Sequence, residues 1–322
     1  MLGMIDVICY LRERRLRPAA WLSLAAEWAG NGRLRAALLL LAAMAPVAAC
    51  QAQSTAAPTI TQAVESPPLL SPTPGPPEAH VFVIVMENKS FEAATAPGQA
   101  PATSALIAQH GLATNYHAVA HPSLPNYLAL TSGDTWGITD DGYHALPAEG
   151  LGDVLTRSGV SWRAYMEGMT RGCTDSPYPY ALKHNPFAYY GGRCPPNVVP
   201  LTTLDADLVQ DPPRFAWITP NLCHDTHDCP VSSGDAWLKD YVGRIMASPA
   251  FQSGGVLFIT WDETDGSGDR VPALVLTATG GRRSSATRYD HYSMLATVED
   301  LLGVPRLGAS RAAVAMTDLV SG

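Results

Sequence analysis

Three short polar clusters carry most of the reactive side chains of this chain, and each follows an apolar run. Glu87-Asn88 follows Val81-Phe82-Val83-Ile84-Val85-Met86, the stretch from Asn221 to Asp228 follows Phe215 to Ile218, and Asp262-Glu263 follows Val256 to Trp261. Carboxylates, an amide oxygen and imidazoles are the donors that a hard or borderline divalent ion takes: Mg, Mn, Ca or Zn. Carboxylates that converge in a cleft repel one another, and a bound cation removes that cost. Charged residues commonly end strands, so one such cluster alone says little. Three of them, in a chain with only 16% charged residues, point to a shared cleft.

The candidate nucleophile is Ser123, in His121-Pro122-Ser123-Leu124-Pro125-Asn126-Tyr127-Leu128. Pro125 is tolerated in a first helical turn, so a helix can run from there toward Thr131 before Ser132-Gly133. Ser123 then lies at a helix N-terminus, where backbone N–H groups and the dipole favour a phosphate. From the local sequence alone it reads rather as a helix cap. Asn126 either orients phosphate through its amide or satisfies the turn. Asp235, before Ala236-Trp237-Leu238, is a natural N-cap as well as a candidate substrate contact. His121 reads as support for its loop, His224 as a loop histidine and Asp228 as a turn cap.

The elements that must position these residues follow from the same runs. Continuous apolar segments bounded by polar residues suggest strands buried on both faces, as in a parallel sheet; Ala273 to Thr277 is a fourth. Helices are expected over Ala102–His110, Tyr127–Thr131, Ala236–Met246 and Ser293–Leu302, the last stopped by Gly303 and Pro305. This alternation predicts an α/β fold, a doubly wound and mainly parallel sheet flanked by helices. In such sheets ligands bind at the carboxyl ends of strands, where the three clusters fall. The Gly-, Pro- and Tyr-rich stretch from Thr170 to Val199 reads as a large loop region.

Composition sets the outer bounds. The formal charge is −8, but beyond Cys50 there are 15 basic and 26 acidic residues, a poor footprint for nucleic acid or anionic lipid. Residues 1–50 read as an N-terminal extension and signal peptide: Arg33 and Arg35 precede an apolar stretch to Ala49 that is too short to span a bilayer. It ends Val47-Ala48-Ala49-Cys50, similar to a bacterial lipobox in which the Cys is acylated. Residues 51–78, rich in Pro, Ser and Thr, read as a linker, and 79–322 as the catalytic domain. Export to the cell surface is therefore expected, with membrane contact only through the N-terminal lipid anchor. Cys173, Cys194, Cys223 and Cys229 are an even set in an exported chain and favour disulfides. Of three possible pairings, Cys173–Cys194 with Cys223–Cys229 is the simplest.

Ser123-Leu124-Pro125-Asn126 resembles the Thr-Phe-Pro-Asn nucleophile motif of nucleotide pyrophosphatase/phosphodiesterases, in the alkaline-phosphatase-like superfamily. More closely, the stretch from His80 to about Leu319 resembles the bacterial phosphoesterase family that contains acid phosphatases and phospholipases C. The resemblance runs through Glu87-Asn88-Lys89-Ser90-Phe91, residues 121–133, residues 220–238, residues 260–263 and Tyr289-Asp290-His291-Tyr292-Ser293. It implies a metal held by Glu87, Asn88, Ser123, Asp262 and Glu263, with Ser123 transiently phosphorylated. His227 and His291 would work on phosphate or leaving group, and Asn126 and Asp235 on substrate. The chain departs from the two-zinc pattern, having Asp262-Glu263 where the phosphodiesterases have Asp-His, and Asp225, His227, Asp228 and Asp235 compete for one assignment. One tightly held ion is expected, a second being left open.

The reading that follows is a metal-dependent phosphoric-ester hydrolase, an acid-phosphatase-like phosphomonoesterase acting on a small molecule or lipid headgroup. The monoester preference rests on the chain ending soon after the catalytic region. The alternatives are a phospholipase C-like phosphodiesterase and a non-catalytic, ligand-binding surface lipoprotein. A sulfatase is disfavoured, because Tyr127 stands where the formylglycine motif needs Arg.

Overall fold

The computed structural model describes residues 79–96, 98–266 and 268–321. The expected leader, Cys50 and linker lie outside the described residues.

The run from Val81 to Met86 is strand β1, and every residue of it is buried. That burial on both faces is why the run is continuously apolar rather than alternating. In chain order there follow α1 (Phe91–Ala94), α2 (Pro101–Gln109), β2 (Gly111–Ala113), β3 (Tyr116–His117), α3 (Ser123–Ser132), α4 (Leu151–Arg157) and β4 (Trp162–Met166). Then come β5 (Val198–Pro200), α5 (Leu204–Gln210), β6 (Phe215–Thr219), α6 (Val231–Ala247), α7 (Pro249–Gln252), β7 (Val256–Trp261) and β8 (Ala273–Thr277). The last elements are β9 (Arg283–Ser285), β10 (Tyr289–Asp290), α8 (His291–Leu302) and α9 (Thr317–Val320).

Eight strands form one sheet in the order β5-β4-β6-β1-β7-β8-β2-β9. The block from β5 to β7 is parallel, whereas β8 runs antiparallel to both β7 and β2. The doubly wound, mainly parallel architecture expected from the sequence is thus present, with an antiparallel excursion at β8.

Register brings the polar clusters together. Val81 lies opposite both Phe215 and Val256, and Met86 opposite Trp261. The three strands therefore run side by side and end on the same edge. Hydrogen bonds continue past their ends: Asp262 N donates to Met86 O at 3.0 Å, and Glu87 N donates to Asp225 O at 2.8 Å.

Helix α3 is buried along its whole length, which explains why its sequence shows no polar face. It packs against α8 and stops at Gly133, whose φ of 70° is left-handed and where a Cβ would lie 2.4 Å from the Leu307 carbonyl oxygen. Both disulfides, Cys173–Cys194 and Cys223–Cys229, are formed. Within the Thr170–Val199 region, 3-10 turns at Leu182–His184 and Pro186–Ala188 precede β5.

Candidate active site

Ser123 opens α3 with its hydroxyl between two carboxylates, 3.1 Å from Glu87 Oε2 and 3.3 Å from Glu263 Oε1. Glu87 comes from the end of β1 and Glu263 from the end of β7. The other oxygen of Glu87 accepts a 2.6 Å hydrogen bond from Tyr127, one turn along α3. Asn88, at φ 53°, turns the chain in a conformation that asparagine tolerates, and its N–H donates to Asp262 Oδ1 at 3.1 Å. Thr226 is held at φ 81°, a strained value for a β-branched residue, and its hydroxyl donates to the Glu87 carbonyl at 2.6 Å. Glu87 is therefore fixed from α3 and from the loop after β6.

A second side of the cleft is built from loops. His184 is fully buried and stacks on Tyr127 with ring centroids 5.2 Å apart. Its Nε2 lies 3.1 Å from Glu87 Oε1 and its Nδ1 3.2 Å from Asp225 Oδ2. Neither approach is aligned as a hydrogen bond. His227 is anchored through Nδ1 to Asp228 at 2.7 Å, and its Nε2 lies 3.4 Å from Lys183 Nζ. Lys183 pairs with Asp141 at 2.9 Å. His121, on the opposite rim, pairs with Glu263.

The electrostatics are those of a cation site. Burial, then repulsion from Asp262 and Asp225, holds the Glu87 carboxyl well above the usual range. Burial lifts Asp225 to about 7; burial and then Asp262 lift Glu263 to about 7. Burial also raises Asp262 and lowers His184 to about 3. Both ring nitrogens of His184, Asp225 Oδ2 and Asp262 Oδ2 are buried without a hydrogen-bond partner. Orphaned carboxylate oxygens of this kind are costly unless something electropositive meets them. Glu87, His184 and His227 can each offer one ligand atom within 4.8 Å of the others. Carboxylate oxygens and imidazole nitrogens in this arrangement fit a divalent metal.

Of the residues singled out in the sequence, Glu87, Ser123, Asp262 and Glu263 meet, Asn88 joins them through its backbone, and His227 stands on the rim. Three others have different work. Asn126 accepts from Val119 N and Ala120 N and donates to the Ala120 and Pro122 carbonyls, so its amide folds the loop before Ser123 rather than facing phosphate. Asp235 receives Ala102 N, Thr103 N and the Thr103 hydroxyl at 2.7–2.9 Å and thereby caps α2. His291 is fully buried with Nδ1 on the Tyr116 hydroxyl at 2.9 Å and Nε2 on the Asp262 carbonyl at 2.6 Å, leaving neither nitrogen for metal or phosphate. Tyr127, His184, Lys183 and Asp141 complete the cleft and were not singled out for it. The one local signal was Tyr127 within the nucleophile segment.

The sequence profile of the Phosphoesterase family matches residues 94–305. A phosphatidylinositol-3-phosphatase of Mycobacterium tuberculosis is 32% identical over 260 residues, covering 76% of this chain and 83% of its own. An acid phosphatase of Aspergillus fumigatus is 29% identical over 258 residues, with coverage of 70% and 55%, so this chain spans about half the length of that relative. Among solved structures, a protein in the alkaline phosphatase superfamily from Vibrio parahaemolyticus matches with a TM-score of 0.54 at 12% identity, over 75% of this chain and 72% of the other. A phosphonate monoester hydrolase of Agrobacterium radiobacter gives 0.52 at 12% identity, over 76% and 77%. At that identity the structural likeness speaks for the fold, while the profile and the mycobacterial relative speak for the family. This chain belongs to the Phosphoesterase family, hydrolases of phosphoric ester bonds, and is built on the alkaline-phosphatase-like fold.

Proposed function

We propose that the protein is a metal-dependent phosphomonoesterase that works through a phosphoserine at Ser123. The observation that carries this reading is the Ser123 hydroxyl, buried at the start of α3 and within 3.1–3.3 Å of two carboxylates. Glu87, Asn88, Asp262, Glu263 and Ser123 itself would hold the cation, with His184 as a further donor on the Glu87 side. A divalent ion there neutralises the clustered carboxylates and acts as a Lewis acid toward phosphoryl oxygens.

The chain's own groups then act as follows. Ser123 Oγ forms the bond to phosphorus as the ester P–O bond breaks, and its proton passes to Glu87 or Glu263. The departing oxygen takes a proton from His227, whose ring Asp228 orients. Water next attacks the phosphoserine and gives a proton to His227, the P–O bond to Ser123 breaks, Ser123 regains its proton from the carboxylate and inorganic phosphate leaves. Helix amides at the start of α3 meet the developing negative charge.

The test is Ser123→Ala, assayed with p-nitrophenyl phosphate alongside metal analysis and rapid-quench mass spectrometry for phosphoserine. Turnover should fall by about a thousandfold or more while the fold persists. A variant that keeps its turnover, or a wild type active after exhaustive chelation, would overturn the reading.

The mycobacterial relative, by its name, acts on a phosphorylated lipid, and it is matched over most of its length. That favours a phosphomonoester on a lipid headgroup as the second reading, distinguished by comparing phosphoinositide vesicles with soluble phosphomonoesters. Two disulfides fit an oxidising compartment, in line with export and lipid attachment at Cys50. The mass of the mature N-terminus checks that attachment.

A further inference from the structure

Asp141 sits in an unexpected place. It belongs to the irregular segment between α3 and α4, yet its carboxylate reaches back to the start of α3. Its Oδ1 accepts from Leu124 N at 3.0 Å and its Oδ2 from Lys183 Nζ at 2.9 Å. Leu124 directly follows Ser123, so this carboxylate lies beside the nucleophile. The cleft already holds Glu87, Asp225, Asp262 and Glu263, and a further anion is repelled by all of them. Only strong local donors can hold it there, one oxygen on each.

Those donors are the ones a phosphoryl group on Ser123 would require. The Leu124 N–H points at the helix start, and Lys183 reaches the same point while lying 3.4 Å from His227. His184, next to Lys183 in the same 3-10 turn, is fully buried with neither ring nitrogen hydrogen-bonded. Asp141 itself is about one-third exposed, 31%, in a segment held by Leu146, whose N–H donates to the Tyr189 carbonyl, and by Tyr143, whose ring packs on Tyr189.

We propose that Leu124 N–H and Lys183 Nζ seat two non-bridging oxygens of the substrate phosphoryl, and that Asp141 is an internal anion that occupies this seat until substrate displaces it. The inference rests on the phosphoserine reading for its location. It adds that Lys183 selects for anionic substrate and that Asp141 sets the affinity for substrate and for product phosphate. No covalent chemistry is added; one carboxylate exchanges for one phosphate.

The experiment uses the full chain with its metal. KM for p-nitrophenyl phosphate and the competitive Ki of inorganic phosphate are measured for wild type, Asp141→Asn and Lys183→Met, with calorimetric titration of inorganic phosphate as a readout independent of turnover. Asp141→Asn keeps an acceptor for Leu124 N, and Asp141→Ser serves if the Asn variant does not fold. Removing the resident charge should lower KM and Ki together by about tenfold, and Lys183→Met should raise both by at least as much. Unchanged or raised constants in both Asp141 variants, with wild type turning over normally, would reduce Asp141 to a helix cap and overturn the proposal. A wild type that hydrolyses no phosphoester, but whose Asp141 variants bind inorganic phosphate more tightly, would uphold the seat and sink the phosphoserine reading instead.

Discussion

The ring of His291 bridges Tyr116 to Asp262: its Nε2 lies 2.6 Å from the Asp262 carbonyl oxygen and its Nδ1 2.9 Å from the Tyr116 hydroxyl. A carbonyl only accepts, so Nε2 carries the hydrogen and Nδ1 accepts from tyrosine. Burial holds this imidazole neutral, lowering it to about 4. His291→Ala should therefore act through Asp262, costing about 2 kcal/mol of stability and lowering metal content and kcat together. Unchanged KM for a phosphomonoester would separate this positioning role from direct contact with phosphate, which would raise it.

Asp235 and Thr103 make a parallel case. The Asp235 carboxylate holds two backbone N–H groups and one hydroxyl of the first turn of α2. Asp235→Ala leaves these donors unmet and should cost roughly 2 kcal/mol in denaturant unfolding, with KM unmoved. A large KM increase would return Asp235 to the substrate.

Gly234, in α6, lies under the loop that carries Asp225. A Cβ there would stand 2.4 Å from Thr226 Cγ2 and 2.8 Å from the His224 carbonyl oxygen. Gly234→Ala should push that loop and lower kcat by about tenfold or more, since small displacements of catalytic groups are expensive. Gly243, in the same helix, faces open space: a Cβ there would meet nothing within 4 Å. Gly243→Ala should instead gain about 0.5–1 kcal/mol of stability.

Glu299 supplies a pH prediction. It is fully buried in α8, and burial pushes it up to about 7. Ser310 Oγ lies 2.6 Å from both Glu299 Oε2 and the Leu307 carbonyl, and its single hydrogen cannot serve both. A protonated Glu299 donates to Ser310 and frees that hydrogen for Leu307. Between the ordinary carboxyl range near 4.5 and about 7, the folded chain keeps a proton that the unfolded chain has lost. Stability therefore falls as pH rises through this window and levels off above it, a cost on the order of 2–3 kcal/mol. Glu299→Gln should match wild type in thermal melts at about pH 4 and exceed it at about pH 8. Equal melting temperatures at the higher pH would refute this.

The strands nearest the site were legible because burial on both faces makes β1, β6 and β7 continuous apolar runs, and the ligand clusters lie directly at their ends. Strand β4 was not, since five residues interrupted by Arg163 show no such run; that arginine turns outward to Asp207 at 3.2 Å. Helix α6 begins at Val231, which places Asp235 inside the helix and turns its capping toward α2 rather than its own N-terminus. His184 left no local trace. It stacks against Tyr127 of α3, a relation between distant segments. The disulfide pairing itself followed from the smallest loops.

The cleft has two kinds of wall, and they differ in how freely they can change. Glu87, Asp262 and Glu263 are tied to adjacent strands in strict register, so altering their spacing means altering the sheet. Asp141, Lys183, His184 and His227 stand on connecting segments that can lengthen, shorten or trade residues while the sheet stays intact. Diversification of substrate preference in this architecture should therefore be written in the connecting segments, with the reactive serine and its carboxylates carried along unchanged.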